Sequence, residues 1–392
     1  MQRRIERRDF LRIGSLGGLS LGSVLRLQDV CGAAAKKKDI NCIFLFVLGG
    51  MPHQDMWDLK PDAPPEIRGD FQPISTAVPG IQVGDVMPKI AKITDKLAVL
   101  RSLTPTASDH GRGFHIMMTG VHPGAGDFNG NQNNNQHPCV GSMVAKLGKN
   151  KSSLPPYISV PNFLNSGGPA FLGASCAPFV IEADPAAPEF AVRDISLPAD
   201  VATARGARRQ AALREINRIE KKAELLSNNV LSFDTFYRKA AALMTSRKAK
   251  EAFDITQEEE ALREAYGMTS VGQCCLLSRR LVEAGCRFIS IEHGHWATHR
   301  RNTWSLRELL VPGFDQAVPT LLNDLETRGL LDSTLVVITT EFGRTPILQA
   351  VATSGKAGAP GRDHQRDAFT IWLAGAGIRS GITYGRTDEL GH

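Results

Sequence analysis

The apolar run at residues 40–48 (INCIFLFVL) constrains the fold of this 392-residue chain more than any other feature. Three lysines precede the run, and Gly49 and Gly50 follow it. A continuous apolar run bounded by turn residues is typical of a strand buried on both faces, as at the centre of a parallel sheet. The run therefore predicts an α/β fold with helices on both faces of a mostly parallel, doubly wound sheet.

Strand and helix patterns alternate through the rest of the chain, as this fold requires. Short apolar runs with β-branched residues predict strands, and apolar residues at helical spacing predict helices. The predicted strands are residues 97–103, 157–160, 179–181, 287–291, 336–338 and 368–374, and the predicted helices are 86–94, 114–118, 140–147, 257–266, 271–284 and 305–328.

A chain of this length suits one large α/β domain or two smaller ones, and the alternation favours one domain over residues 36–392. Residues 201–250 differ in composition, because Ala, Arg, Lys, Glu and Leu dominate there. We interpret this stretch as a helical insertion with solvated faces, and a polyanion-binding surface is the alternative. The chain ends soon after a predicted strand, and we expect a truncated C-terminus with an unpaired sheet edge.

The N-terminal residues 1–35 are predicted to be an export signal rather than part of the fold. Residues 7–12 (RRDFLR) match a twin-arginine pattern, and the apolar run at 13–25 is too short and weak to span a membrane. Three alanines at 33–35 offer a cleavage site. We expect a periplasmic or extracellular protein without a stable membrane span in its mature chain. A basic disordered tail is the alternative interpretation.

Charge and cysteine content argue against a nucleic-acid-binding protein and against a cysteine-held metal cluster. The formal net charge is +6, but residues 1–35 carry six basic and three acidic side chains, which leaves the remainder nearly balanced. Nothing in that balance requires nucleic acid as a partner. The seven cysteines form no C-x-x-C pair, so a cysteine-held metal cluster is not expected.

Polar side chains follow the first two predicted strands. His53 and Asp55 come shortly after residues 40–48, and Ser108 and His110 follow residues 97–103. Imidazole and carboxylate groups at the carboxyl ends of parallel strands suit a divalent metal. A hydroxyl that lies near a helix N-terminus and a bound cation is well placed to act as a nucleophile. Thr104 and Thr106 are alternatives to Ser108 for that role. All three residues also suit turns.

Two later strands end in similar groups. His293 and His299 follow residues 287–291, and Glu341 follows residues 336–338. Asp363 and His364 stand at the entrance to residues 368–374. These groups converge on one point if their strands share a sheet. The simpler interpretation, in which they are loop caps and surface ion pairs, stays open.

Four loops carry a family resemblance: GGMPHQD, SDHGRGFH, EHGHWATH, and TTEFGRTP with GRDH. In this order they resemble the exported bacterial family called domain of unknown function 1501, which is similar to the alkaline-phosphatase and sulfatase superfamily. The resemblance implies a divalent-metal site for a phosphate or sulfate ester. It places the superfamily's ligands at Asp55, Glu341 and His364.

The chain departs from the family pattern at two positions. Ala297 stands where the WDTH-type motif has an aspartate, and Phe342 stands where metal-dependent phosphatases have a histidine. The Cys- or Ser-x-Pro-x-Arg motif of formylglycine sulfatases does not occur after the second strand. A non-catalytic binding or surface protein that retains the fold is therefore the alternative to an ester hydrolase.

The leading hypothesis is an exported, metal-dependent hydrolase of phosphate or sulfate esters, acting on a small-molecule or polysaccharide substrate. The expected cation is Zn²⁺, Ca²⁺ or Mg²⁺. The predicted catalytic residues are Ser108, His110, Arg344 and Arg362, and the predicted metal ligands are His53, Asp55, His293, His299, Glu341, Asp363 and His364. Of the two arginines, Arg344 or Arg362 is expected to neutralise the anionic substrate.

Overall fold

The fold is built on one large mixed sheet. The computed structural model describes residues 39–123, 136–148, 152–192, 243, 246–349, 352–353, 356–357 and 359–392. Within these residues the strands are β1 Asn41–Val47, β2 Pro73–Ser75, β3 Gln82–Gly84, β4 Ala98–Leu103, β5 Tyr157–Val160, β6 Phe179–Val180, β7 Phe288–His293, β8 Thr334–Thr339, β9 Gly343–Arg344, β10 Ala352–Thr353, β11 Lys356–Ala357, β12 His364–Gln365, β13 Phe369–Gly375 and β14 Ile382–Tyr384.

The main sheet has the strand order β14-β4-β13-β8-β1-β7-β5-β6. The first strand lies at its centre, where Phe44 faces Ser290 of β7 on one side and Val337 of β8 on the other, both in parallel register. Strand β13 is antiparallel to both β8 and β4. The predicted central strand and the mostly parallel sheet are confirmed.

Helices cover both faces of this sheet. In the part of the chain that the structure describes, they are α1 His53–Met56, α2 Pro65–Arg68, α3 Pro88–Ala91, α4 His110–Thr119, α5 Val140–Leu147, α6 Arg247–Phe253, α7 Glu260–Tyr266, α8 Ser270–Glu283, α9 Asn302–Trp304 and α10 Val311–Thr327. None of these helices combines the length and apolar character needed to cross a bilayer.

Alternation along β1 separates two hydrophobic cores. Ile43 and Leu45 belong to the core that contains side chains of α8 and α10. Phe44 and Phe46 belong to the other core, where Phe46 stacks on Phe114 of α4 with ring centroids 4.4 Å apart. Because successive strand residues face opposite sides of the sheet, an all-apolar strand needs both layers. The doubly wound α/β class is therefore confirmed.

Three helices differ from their predicted bounds for local reasons. The helix predicted at 305–328 is α10 preceded by a π-helical turn, Ser305–Leu310, since Pro312 has no N–H to donate to the turn before it. The helix predicted at 114–118 begins at His110, because the Asp109 side chain accepts a hydrogen bond from the Arg112 N–H at 2.9 Å. The helix predicted at 86–94 is shorter and ends in a 3₁₀ turn, Thr94–Lys96.

Several predictions concern residues outside the described ranges. The export signal at 1–35 lies wholly outside them, and so does most of the helical insertion at 201–250. The described part of that insertion includes the start of α6. The stretch at 61–84 contains α2 and the β2–β3 hairpin.

A buried arginine ties α8 to its neighbours. Arg279 is completely buried and forms ion pairs with Glu258 at 2.9 Å, Asp324 at 2.8 Å and Glu283 at 2.8 Å. Burial alone would raise the pKa of Glu258, but the hydrogen bonds and charges of Arg279 and Arg280 hold that pKa below its usual value. The charged form of Glu258 is therefore bound more tightly in the folded protein than in the unfolded chain.

We expect Glu258→Gln to reduce the free energy of unfolding at neutral pH. The carboxylate's contribution is fully present above its unfolded pKa of about 4.3. It is lost as pH falls through the lower folded value, so the difference from wild type shrinks in acid. Urea denaturation across this range measures the effect, with the exposed Glu259→Gln as control. A difference that does not depend on pH contradicts this assignment.

Candidate metal and catalytic site

Glu341 follows β8 directly, and its side chain is completely buried. The Gly49 N–H donates to both carboxylate oxygens, at 2.9 and 3.1 Å, and the Thr340 hydroxyl donates to Oε2 at 2.9 Å. The Gly49 φ of +124° lets its N–H approach from the end of β1. In the structure, protein donors thus engage both oxygens of this predicted metal ligand.

His110 completes the hydrogen bonding of Glu341. Its Nδ1 lies 2.6 Å from Oε1 of Glu341. Because an ionised carboxylate only accepts, the imidazole proton is assigned to Nδ1, which leaves the lone pair on Nε2. We call these two residues the His110–Glu341 pair. Its geometry is that of a histidine oriented for proton transfer.

His364 lies in β12, opposite Arg344 of β9. Its Nδ1 donates to the Ser108 carbonyl at 2.6 Å. Its Nε2 is buried and has no hydrogen-bond partner among the described residues. Burial, together with the charge of Arg344 and the neighbouring histidines, lowers the pKa of His364 to about 4. The ring is therefore neutral at pH 7, with a free lone pair on Nε2.

His299 approaches the same point from the loop after β7, and Asp363 directly precedes His364 in the chain. His299 Nδ1 lies 3.3 Å from Asp363 Oδ1, and one ligand atom from each of His299, Asp363 and His364 lies within 4.8 Å of the others. We call these three residues the His–Asp cluster. The His110 and His364 ring centroids are 4.6 Å apart, so the His110–Glu341 pair adjoins the cluster.

Arg344 lies behind this group and is completely buried. Its Nη1 donates to the Arg362 carbonyl at 2.9 Å and lies 3.4 Å from Nε2 of His299. Its Nε and Nη2 contact the carbonyls of Gly50 and Gly49. Burial lowers the pKa of Arg344 to about 10, so the group stays positive at neutral pH. The guanidinium joins the loops that carry the candidate ligands.

Asp55 and Arg362 form a separate, completely buried ion pair. Arg362 Nε and Nη2 donate to the two Asp55 carboxylate oxygens at 2.8 and 2.9 Å, and Asn302 donates to Oδ2 at 2.8 Å. No hydrogen bond within the described ranges joins Asp55 to the His–Asp cluster or to the His110–Glu341 pair. Asp55 was predicted as a metal ligand and Arg362 as an anion-binding group, and both remain predictions.

The other two predicted histidine ligands are packed elsewhere. His53 Nε2 lies 3.0 Å from the Gly391 carbonyl, and burial lowers its pKa to about 4. His293 stacks parallel to Phe314 at 6.3 Å, with the Trp296 ring 5.6 Å away. Burial likewise lowers the pKa of His293 to about 4. The structure does not bring either residue into the His–Asp cluster.

An open cleft of about 510 Å³ adjoins the His110–Glu341 pair. It lies at the ends of β1, β5 and β7, where an α/β sheet places its ligands. Its lining residues are Leu48, Gly49, His110, Phe114, Phe163, Asn165, Glu292, His295 and Ala297. Ser108, the predicted nucleophile, is exposed just before α4 and contributes its carbonyl to His364.

Sequence analysis did not single out Phe163, Asn165 or Thr340. Phe163 and Asn165 follow the end of β5, and Thr340 follows the end of β8. The rule that selected the other candidates, polar residues just past a strand, would have found Asn165 and Thr340. The rule does not find Phe163, because an isolated aromatic residue in a loop carries no such signal.

Gly361 sets the distance between the two loops of the His–Asp cluster. A Cβ added there would overlap the backbone of His299. We expect Gly361→Ala to cost about 1–3 kcal/mol of stability, as overpacking does, and to reduce metal uptake. Thermal denaturation and bound-metal analysis measure both effects. Gly313→Ala is the control, because its Cβ would meet side chains at 3.3–3.6 Å. Equal behaviour of the two variants contradicts the prediction.

Solved structures similar to this chain include sulfatases and phosphatases, all with TM-scores below 0.5. The PsFucS1 sulfatase from Pseudoalteromonas sp. is 15% identical, with 94% of this chain and 68% of that chain covered and a TM-score of 0.38. The alkaline phosphatase from the Antarctic bacterium TAB5 is 12% identical, with 91% and 97% covered and a TM-score of 0.37. The lipoteichoic acid synthase LtaP from Listeria monocytogenes is 9% identical, with 92% and 73% covered and a TM-score of 0.36.

No curated protein sequence matches this chain. One family model does, and it is described as "Protein of unknown function (DUF1501)". The match runs over residues 39–392 and so includes both loops of the His–Asp cluster and the whole cleft. It confirms the family resemblance carried by the four loops. This chain therefore belongs to the DUF1501 family.

Proposed function

We propose that this chain is a hydrolase of phosphate or sulfate esters that holds a divalent cation between His299, Asp363 and His364. The observation that carries the proposal is the convergence of these three ligand atoms within 4.8 Å of one another, from loops about 65 residues apart in sequence. The simpler interpretation as surface ion pairs does not account for the half-buried, neutral His364, whose Nε2 is buried without a hydrogen-bond partner among the described residues.

The donor set fits a cation of the zinc type. His364 uses Nδ1 to donate to a backbone carbonyl and keeps the Nε2 lone pair, which is the usual arrangement of a metal-binding histidine. Two imidazoles and one carboxylate suit Zn²⁺, whereas Ca²⁺ and Mg²⁺ prefer oxygen ligands only. Three protein ligands also leave a coordination position open, as catalytic zinc sites do.

A bound cation would polarise the ester and stabilise the charge that develops on its oxygens. The chain's own His110 would accept the proton of the attacking water or hydroxyl at Nε2, because Glu341 holds the proton on Nδ1. The new oxygen–phosphorus or oxygen–sulfur bond replaces the ester bond, and the released alcohol takes its proton from solvent. The hydrogen bonds from Gly49 and Thr340 keep Glu341 in place for this step.

Two buried arginines would act by positioning rather than by binding substrate. Arg344 donates to the backbone carbonyls of Trp296 and Arg362 in the two ligand-bearing loops, and Arg362 is occupied by Asp55. We therefore assign Asp55 and Arg362 to the support of the site, in place of the ligand and anion-binding roles first expected. Ser108 remains a candidate nucleophile, since its side chain is exposed and its carbonyl accepts a hydrogen bond from His364.

A non-catalytic binding protein is the second candidate, and two residues favour it. The Phe342 ring centroid lies 4.3 Å from that of His364, in a place where a ligand would be expected from the family resemblance. Ala297 contributes only a methyl group to the cleft wall. If Ala297→Asp creates turnover in an inactive parent, this candidate is supported; an active parent excludes it.

Metal content and turnover test the proposal together. We expect about one Zn²⁺ per chain by mass spectrometry and hydrolysis of aryl phosphates or aryl sulfates. We expect His110→Ala to lower kcat by about 10²–10⁴-fold while the bound metal is retained, since general-base catalysis is worth that much. A chain that neither binds metal nor turns over any ester in the panel contradicts the proposal.

Export through the twin-arginine route remains part of the proposal. It assigns residues 1–35 to the signal and residues 36–392 to the exported α/β domain. Fusion of residues 1–35 to a reporter that is active only outside the cytoplasm tests this assignment. Replacing both Arg7 and Arg8 by lysine is expected to abolish reporter activity, and unchanged activity excludes this route.

A further inference from the structure

The cleft beside His110 has an unusual lining for an enzyme that acts on anionic esters. Of the described residues that line it, none is lysine or arginine, and Glu292 brings a carboxylate into the wall. Anionic groups are normally held by guanidinium, ammonium or backbone N–H donors. Apart from His110 and His295, the described lining has no basic side chain, so it favours the uncharged part of a substrate.

Three apolar side chains, those of Leu48, Phe114 and Phe163, line the cleft and give it an apolar wall. Phe114 is nearly completely buried and stacks on Phe46, so its position is fixed by the core. Aromatic side chains offer a flat apolar surface at little conformational cost. A wall of this kind favours a ring-shaped ligand over a flexible chain.

The same lining also carries hydrogen-bond acceptors. The side-chain oxygen of Asn165 is buried and has no partner within the described chain. Glu292 accepts a hydrogen bond from the Asn162 side chain and also lines the cleft. A buried acceptor without a partner is costly, so a ligand with hydroxyl donors would be favoured there.

We propose that the cleft binds an uncharged, hydroxylated ring of the size and character of a neutral pyranose. This inference rests on the proposed function, in which that ring is the alcohol part of the ester. The ring's apolar face lies on Phe163 and Phe114, and its hydroxyls donate to Asn165 and Glu292. The Glu292 carboxylate disfavours a ring that carries its own negative charge.

Binding measurements test the proposal without any need for turnover. The probes are a panel of neutral methyl pyranosides and an anionic methyl glucuronoside, titrated into the full-length protein by saturation-transfer NMR. We expect the neutral rings to bind more tightly than the glucuronoside. Phe163→Ala is expected to weaken that binding about tenfold, which corresponds to about 1.4 kcal/mol. Phe171→Ala, at an exposed aromatic residue outside the cleft, is the matched control.

A charge reversal gives a second readout. Glu292→Arg is expected to invert the preference, so that the glucuronoside binds more tightly than the neutral rings. Glu182→Arg, at an exposed carboxylate outside the cleft lining, is expected to leave the preference unchanged. Circular dichroism verifies that each variant is folded.

Three results overturn the proposal: none of the neutral rings binds, the glucuronoside binds wild type at least as well, or Phe163→Ala and Phe171→Ala behave alike. Failure of the hydrolase assignment looks different. In that case neutral rings still bind with the expected variant pattern, but no ester of any ring is cleaved by metal-loaded protein. Conversely, if the protein hydrolyses esters efficiently but binds none of the neutral rings, the hydrolase assignment stands and the ring-binding proposal is wrong.

Discussion

Arg362→Met is expected to destabilise the protein by about 3–5 kcal/mol, because it leaves the Asp55 carboxylate buried without its partner. Arg362 and Asp55 are joined by two hydrogen bonds of 2.8 and 2.9 Å in a site without solvent exposure. Taking a charge out of water costs several kcal/mol, and here the ion pair offsets that cost. The methionine keeps most of the side-chain volume, so the loss of stability reflects mainly the loss of the positive charge.

Urea denaturation of Arg362→Met and of Arg366→Met measures this effect. Arg366 is 62% exposed and lies 3.7 Å from Asp367, so its replacement is expected to change stability by less than about 1 kcal/mol. The double variant Asp55→Asn with Arg362→Met should recover part of the loss, because the unpaired charge is gone. Equal stability of Arg362→Met and Arg366→Met would contradict the role of this ion pair.

His364→Ala is expected to lower the metal affinity by at least about 100-fold. Substituting a residue that only hydrogen-bonds to a metal ligand typically lowers the affinity by less than this. It removes the buried Nε2 lone pair and leaves only His299 and Asp363 of the cluster. Because the ring is half-buried rather than part of either hydrophobic core, we expect only a small loss of stability in the metal-free protein. Turnover should fall together with the bound metal.

Metal analysis by mass spectrometry and the thermal shift on adding Zn²⁺ measure the loss. His122→Ala is the matched control, since His122 is exposed and contacts the Pro123 carbonyl rather than the cluster. Full metal content in His364→Ala would exclude the His–Asp cluster as the metal centre.

The same measurements decide the part played by Asp55. If it supports the site through Arg362, Asp55→Asn loses stability but its folded fraction binds the same amount of metal as wild type. If it is a ligand, as first expected from the family resemblance, the metal is lost as well. The two variants His364→Ala and Asp55→Asn therefore separate a ligand from a supporting ion pair.

The sequence by itself determined the layered fold. Residues 42–48 are apolar throughout and have no polar face, so they could only form a strand covered on both sides, and the structure places β1 at the centre of the sheet. Strand ends also located most of the candidate residues, because parallel strands direct their carboxyl ends to one edge. His110 meets both Glu341 and His364 there.

Only the tertiary structure decided which polar groups face one another. Asp55 and Glu341 look alike in sequence, each a carboxylate beyond a buried strand, yet Arg362 occupies Asp55 whereas His110 and Gly49 surround Glu341. The partner of a buried charge comes from a segment hundreds of residues away, and local spacing carries no information about that contact. For the same physical reason, the sequence could not show that His293 packs against Phe314 while His299 approaches Asp363.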